Sequence, residues 1–412
     1  MYDLVVADAS LRKRSGRHHV GIDGSLIAEV SSQPLQGHRV IDAHGALVTE
    51  SFVNAHMHLD KVYTLDRVGQ EALAQYTGGD MGGAMTSIEL ASAVKREYDE
   101  SWIAPNVRRA VEAAAVNGVR HVLAFADVDT TAGLRGITPV LAAREDFRGT
   151  VDLHVVAFPQ DGLLRDPGAE QLVHDAVDMG ADVVGGIPWI EFSEADAHEH
   201  VRRMCALAAE RNLRVAMLVD DAGDPTLRTT EMLAAELIRT KLTGRGVANH
   251  SRALSQYAEP SLRRVIGLAR QADLAFVSDP HTGPLHLPVL RFLDAGIPVA
   301  LGQDDIEDAY YPFGRHNMLE VAFLAAHALS AVMDTALDQL YDAITTTAAR
   351  VIGVSGHELA PGGNADLVVL DGTTVREVLA RHSPPRYVIH GGRVVAETTT
   401  VSTLLPSTPA HA

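Results

Sequence analysis

Between residues 51 and 302, short apolar runs alternate with longer stretches of helical periodicity. The runs are Ser51–His56, Arg120–Ala126, Val151–Phe158, Ala181–Ile187, Arg214–Val219, Gly244–Asn249, Leu274–Ser278 and Pro298–Gly302. Most are rich in Val, Leu and Ala and apolar nearly throughout, the pattern of strands buried on both faces. Asn106–Asn117, Ala197–Arg211, Thr229–Leu242 and Pro260–Gln271 carry the helical period between them. From the second run onward the spacing is roughly 25–35 residues, the size of a βα unit. Eight such units predict an α/β chain closed into a TIM-type (β/α)8 barrel over residues 51–360, rather than a doubly wound open sheet.

The two ends are patterned differently. Leu4–Val6, Val20–Ile22, Leu26–Val30 and Arg39–Ile41 read as short strands, as do Ala365–Leu370, Tyr387–His390 and Arg393–Val395 in the tail. Turns such as Pro361-Gly362-Gly363 and Gly391-Gly392 separate the strands of the tail. Neither set buries a face alone, so segments 1–50 and 361–412 are expected to pair into one small β-sandwich lobe. A glycine-rich stretch, Thr77–Met85, lies in the long connection after the first strand and reads as either a lid or a static surface excursion.

Composition narrows the partners. A formal charge of −18 disfavours nucleic acid and anionic membrane surfaces as partners and says nothing of a small molecule, which responds to the local field of its pocket. The single cysteine, Cys205, excludes an intrachain disulfide and a cysteine-based zinc site. No uncharged apolar run reaches membrane-span length, and the first residues, MYDLVVADASLRKR, do not form a signal peptide; a cytoplasmic location is the expectation.

Barrel enzymes carry their chemistry where strands end, and here polar groups recur at nearly every exit. His56-Met57-His58 closes the first strand, Gln160 follows the third, and Trp189 and Glu191 follow the fourth. Asp220-Asp221 follows the fifth strand, His250 the sixth, Asp279 and His281 the seventh, and Gln303-Asp304-Asp305 the eighth. Side chains two apart on a strand face the same way, so His56 and His58 can address one ion. With the Asp304 carboxylate they make a divalent site of catalytic type, suited to zinc, iron or manganese. Such an ion brings the pKa of bound water toward neutrality. Trp189 is placed to stack on a planar ring or to pack the rim, and Lys61 to meet a substrate anion or a rim carboxylate. Tyr310 and Tyr311 shape the pocket or pack the core. Glu191 is either a polar contact or the start of a helix.

The segment Phe52-Val53-Asn54-Ala55-His56-Met57-His58-Leu59-Asp60-Lys61 resembles the first-strand signature of the amidohydrolase superfamily. More narrowly, it resembles the branch of cytosine deaminase and N-isopropylammelide amidohydrolase. Val156–Gly162, Asp182–Pro188 and Gly302–Gly314 resemble the same branch, Asp304–Gly314 most specifically, and Gly363–Val369 resembles the strand that rejoins the β-lobe, so the similarity runs over essentially the whole chain. The resemblance implies that His56, His58 and Asp304 hold one zinc or iron. It implies that His250 contacts the hydroxide or the substrate oxygen, that Gln160 reads an amide-like edge of a nitrogen heterocycle, and that Asp305 lies beside the pocket. It also implies a homo-oligomer. Two positions depart from the pattern. Leu218 stands where the family has a histidine ligand, with Asp221 as a shortened proton shuttle, and Phe125 stands where the family usually has histidine. With one ligand lost, His250 becomes a candidate to move into the metal shell.

The expected function is a metal-dependent hydrolase cleaving a C–N bond of a small cyclic or heteroaromatic substrate, by deamination or by amide or amine hydrolysis. The alternatives are a metal-poor relative acting on a non-nitrogenous ring or as a lyase, and a non-catalytic binding protein.

Overall fold

The structure, a computed structural model, describes residues 1–69, 74, 88–89 and 92–405. The stretch Thr77–Met85 lies outside the described residues. The barrel strands are β6 (Phe52–His58), β7 (Val119–Asp127), β8 (Asp152–Phe158), β9 (Val183–Gly186), β10 (Arg214–Val219), β11 (Gly246–His250), β12 (Ala275–Ser278) and β13 (Val299–Leu301). They pair in parallel in sequence order from β6 to β13. The remaining gap is bridged at the strand ends, where Met57 pairs with Asp304.

Each strand alternates between two cores. Val53, Ala55, Leu123, Phe125, Val156, Phe158, Ala216 and Leu218 belong to a cluster inside the barrel. Phe52, Val122, Ala124, Val155, Ala157, Val215 and Met217 pack outward against helices such as Glu100–Val116, Glu194–Arg211 and Glu259–Ala272. Both faces of the strands are therefore apolar, which is why period-2 polarity is absent from their sequence.

The terminal segments form one continuous sheet. Its strands are β1 (Tyr2–Leu11), β2 (His18–Asp23), β3 (Leu26–Ser31), β4 (Gly37–Asp42), β5 (Leu47–Glu50), β14 (Leu367–Val369), β15 (Tyr387–His390) and β16 (Arg393–Glu397). β5 joins the two ends, running parallel to β1 and antiparallel to β14. The tail also contains a helix, Val375–Arg381, where only strands were expected; Thr374 caps it by accepting from Glu377 N.

This sheet docks beside the N-terminal ends of β7 and β8 through buried polar groups. Arg120 reaches Asp152 on the barrel and Asp366 next to β14. His390 Nδ1 donates to Thr150 O at 2.6 Å, and His357 Nε2 to Ser51 O at 2.8 Å. His121 and His154 stack nearby, ring centroids 5.6 Å apart. Burial lowers the pKa of all four imidazoles, with His390 brought to about 4. These values lie below that of histidine in the unfolded chain, so the unfolded chain binds protons first on acidification. Their contribution is complete above about pH 6.5 and fades as pH falls toward the folded values. Urea midpoints measured with chelator present should drop between pH 7.5 and pH 5.5, and His390→Asn should flatten the drop. A midpoint independent of pH over that window would contradict this reading.

Candidate metal centre and active site

The barrel closes on its own chemistry. β6 shifts register against β7 between Asn54 and Met57. Val53 and Ala55 face inward before the shift, and Met57 faces outward after it. His56 and His58, on either side of Met57, therefore both turn into the barrel, a re-aiming that bulges provide near active sites. Asn54 holds the irregularity by accepting from His56 N at 3.3 Å and Gln303 N at 3.0 Å. Across the seam, His58 N donates to Asp304 O and Asp304 N to His56 O, both at 3.0 Å. The strands approach so closely at Gly302 that an added Cβ would lie 2.6 Å from His56 Cβ. Asp304 itself takes a left-handed φ of 66°, which swings its carboxylate back over the two imidazoles.

The donor atoms converge. His56 Nε2 lies 3.2 Å from Asp304 Oδ1 and 3.3 Å from His58 Nε2, and His58 Nε2 lies 3.8 Å from Asp304 Oδ1. Ligands around a tetrahedral ion at about 2.0–2.1 Å are about 3.3 Å apart, so this donor set fits a single divalent cation. The tautomer of His56 fits as well. Asn249 Nδ2 donates to Met217 O, which turns Asn249 Oδ1 toward His56 Nδ1 at 2.9 Å. The His56 proton is thus on Nδ1 and the Nε2 lone pair faces the site.

His250 stands beside these donors, its ring centroid 4.7 Å from that of His56 and its ligand atom within 4.8 Å of those of His56 and Asp304, so it stays a candidate for the same ion; Asp221 lies next to it. His250 Nδ1 is tied to Asp279 Oδ1 at 2.7 Å, leaving Nε2 4.0 Å from Asp221 Oδ2. Burial opposes the charged imidazole, but Asp221, Asp279 and Asp304 together outweigh it and raise its pKa to about 9. Burial raises the Asp221 carboxyl above its ordinary value, against the pull of Arg252 and His250. Its neighbour Asp220 points away and accepts from Thr229 and Thr230 at the start of the next helix.

The cavity above is lined by His58, Gln160, Trp189, Leu218, Asp221, His250, Asp304 and Asp305, with Ile88, Ile187 and Tyr310. Trp189, in a short 3-10 turn, and Tyr310 are thus pocket-wall residues. Leu218 gives the cavity an apolar wall, and the Phe125 ring lies tilted with its centroid 4.2 Å from that of His56. Lys61 sits behind Gln160 rather than on this wall, donating to Gln160 Oε1 at 2.7 Å and paired with Asp127 at 3.0 Å. Glu191 is neither a pocket group nor a helix start. It accepts from the amides of Leu163, Leu164 and Arg165 and from His200, pinning the loop after β8. Sequence reading missed Asn249, Arg252 and Thr282, which donates to Asp304 Oδ2 at 3.0 Å. It also missed Lys95, which bridges Asp129 and Asp161 behind Lys61.

The profile of the amidohydrolase family matches residues 39–396. The N-isopropylammelide isopropyl amidohydrolase of Pseudomonas sp. (strain ADP) is 27% identical over 402 residues, covering 96% of this chain and 98% of that protein. Among solved structures, 5-methylcytosine deaminase from Klebsiella pneumoniae liganded with 5-fluorocytosine superposes with a TM-score of 0.89 at 26% identity, covering 98% of this chain and 99% of that one. N-isopropylammelide isopropylaminohydrolase from Burkholderia multivorans superposes with a TM-score of 0.85 at 25% identity, covering 96% and 99%.

Two substitutions test the seam. Asn249→Ala removes the acceptor that fixes His56 and should weaken metal affinity by about 10–100-fold in a competitive chelator titration. Gly302→Ala forces β6 and β13 apart; it should lower both metal content and stability, the latter by about 1–3 kcal/mol. Full metal occupancy in both variants would show that the ion is not held here.

Proposed function

The chain belongs to the amidohydrolase family and is a hydrolase of non-peptide C–N bonds; on that premise we propose that it removes an exocyclic amine or amino group from a small nitrogen heterocycle. The observation that carries the proposal is the convergence of His56, His58 and Asp304 at a cavity that Asp221 and His250 also line.

His56, His58 and Asp304 would hold one divalent ion, for which zinc, iron and manganese all suit the donors. Such an ion, when bound, makes a water acidic enough to attack near neutral pH. The chemistry it would supply is addition of a water oxygen to the sp² ring carbon that bears nitrogen. Asp221 Oδ2 accepts the water's proton and returns it to the departing nitrogen, which leaves as ammonia or an amine once the C–N bond breaks. His250, anchored at Nδ1 by Asp279, directs Nε2 toward the substrate and stabilises charge developing on oxygen. Gln160 reads the amide-like edge of the ring. Trp189 packs on its face, and Asp305 closes the side beside Asp304.

One feature favours a second reading. Leu218 and Phe125 present apolar surface where two more donors would strengthen metal binding. A metal-poor site that acts on a non-nitrogenous ring, or as a lyase, draws on these two residues. The readings part on Leu218→His. Both expect higher metal content, but only the proposed one allows native turnover to rise.

Assays should combine metal content of the purified protein with ammonia or amine release from amino- and alkylamino-substituted pyrimidines, triazines and pterins. Turnover of at least one compound is expected, and Asp304→Ala should lower kcat/KM by about 10³-fold or more, in line with other groups that act as a unit. Unchanged turnover in Asp304→Ala, with no metal in the wild type, would overturn the proposal.

A further inference from the structure

Arg252 has no place in the roles above, yet the residue is buried, 6% exposed, and its guanidinium lies among the site's carboxylates. Its Nη1 is 3.1 Å from Asp221 Oδ1, and its Nη2 donates to Asp279 Oδ2 at 2.5 Å and to Thr282 Oγ1 at 2.8 Å. Asp279 in turn holds His250 Nδ1, and His250 Nε2 faces Asp221 Oδ2 across 4.0 Å. The four side chains form a ring. Two of its links, Arg252–Asp279 and Asp279–His250, are charge-assisted hydrogen bonds and Arg252–Asp221 is a close ion pair; the fourth is too long for a hydrogen bond and opens on the cavity. The backbone supports this shape at a cost. His250 and Ser251 both adopt left-handed φ values, 66° and 48°, and Ser251 N and Ala253 N are tied to Val219 O and Asp220 O at the end of β10. That turn aims His250 and Arg252 together at the end of the neighbouring strand.

We propose that Arg252 is a positioning residue that clamps Asp221 and His250 as a pair, leaving one polar atom of each free to face the substrate. This inference rests on the proposed function. The planar fork of arginine engages Asp221 and Asp279 from two nitrogens at once, whereas a lysine ammonium is a single point charge. Occupying Asp221 Oδ1 leaves Oδ2 as the proton-carrying atom. Engaging Asp279 Oδ2 leaves Oδ1 to His250 and so fixes which imidazole nitrogen enters the cavity. Arg252 does not line the cavity, so its effect on the reaction passes through the two residues it holds.

The test uses the zinc-loaded full chain and the best substrate of the heterocycle panel. Arg252→Met should lower kcat by roughly 10²-fold while KM changes less than about threefold, with metal content retained. Arg252→Lys, which keeps a buried cation and supplies a second chance of a folded variant, should recover only part of kcat. Combining Arg252→Met with Asp221→Asn should cost no more than Asp221→Asn alone, because both remove the same function; a purely structural role would add its own loss. Crystal structures of Arg252→Met and Arg252→Lys give a readout independent of turnover, and the Asp221 carboxylate should leave its place opposite His250 in the methionine variant. Losses that multiply in the double variant, wild-type kcat in Arg252→Met, or an unmoved Asp221 would each overturn the proposal. If the wild type hydrolyses nothing in the panel, the proposed function fails, and the crystallographic comparison alone decides the role of Arg252.

Discussion

The closure of the barrel between β6 and β13 is the constraint on which the rest depends. The two strands meet through backbone hydrogen bonds made by His56, His58 and Asp304 themselves, so the residues that seal the sheet also carry the donor atoms. Sealing a barrel needs close approach, which Gly302 permits, and a local change of side-chain parity, which the irregularity at Asn54–Met57 supplies. Donors from the first and last barrel strands are thereby brought together without any long loop to order. Loops tether metal ligands less rigidly than a sheet does.

Around that seam the protein buries far more charge than a hydrophobic interior tolerates unpaired. Asp221, His250, Arg252 and Asp279 form one connected set, and Lys61, Lys95, Asp127, Asp129 and Asp161 another, the two flanking opposite sides of the cavity. Removing one partner of a buried pair strands the other and costs about 3–5 kcal/mol, so these groups fix one another's positions even where they add little net stability. Asn249 shows the same logic without charge: its amide is oriented by Met217 O and then orients His56.

Much of this was legible in the chain. The eight apolar runs mark the barrel strands because both faces are buried, and the candidate ligands stand out because polar residues at the ends of such runs need a reason. The hidden parts share physical causes. Asn249 lies inside a strand, where it reads as an interruption of the apolar run. Arg252 and Thr282 lie past strand ends in turns that resemble ordinary surface punctuation, and the partners that matter, Asp279 for Arg252 and Asp304 for Thr282, are 27 and 22 residues away. Glu191 looked like a helix start because acids favour that position, whereas its carboxylate gathers amides from the preceding unit. The strand β5, four residues long, is too short to show a period, yet it joins the two ends of the chain.

Anomalous diffraction from crystals grown with one equivalent of zinc, recorded on both sides of the zinc edge, addresses the central claim directly. The account predicts one strong peak within coordinating distance of His56 Nε2, His58 Nε2 and Asp304 Oδ1 together. A peak that excludes any of these three atoms, or no peak at the seam in zinc-saturated protein, would contradict it.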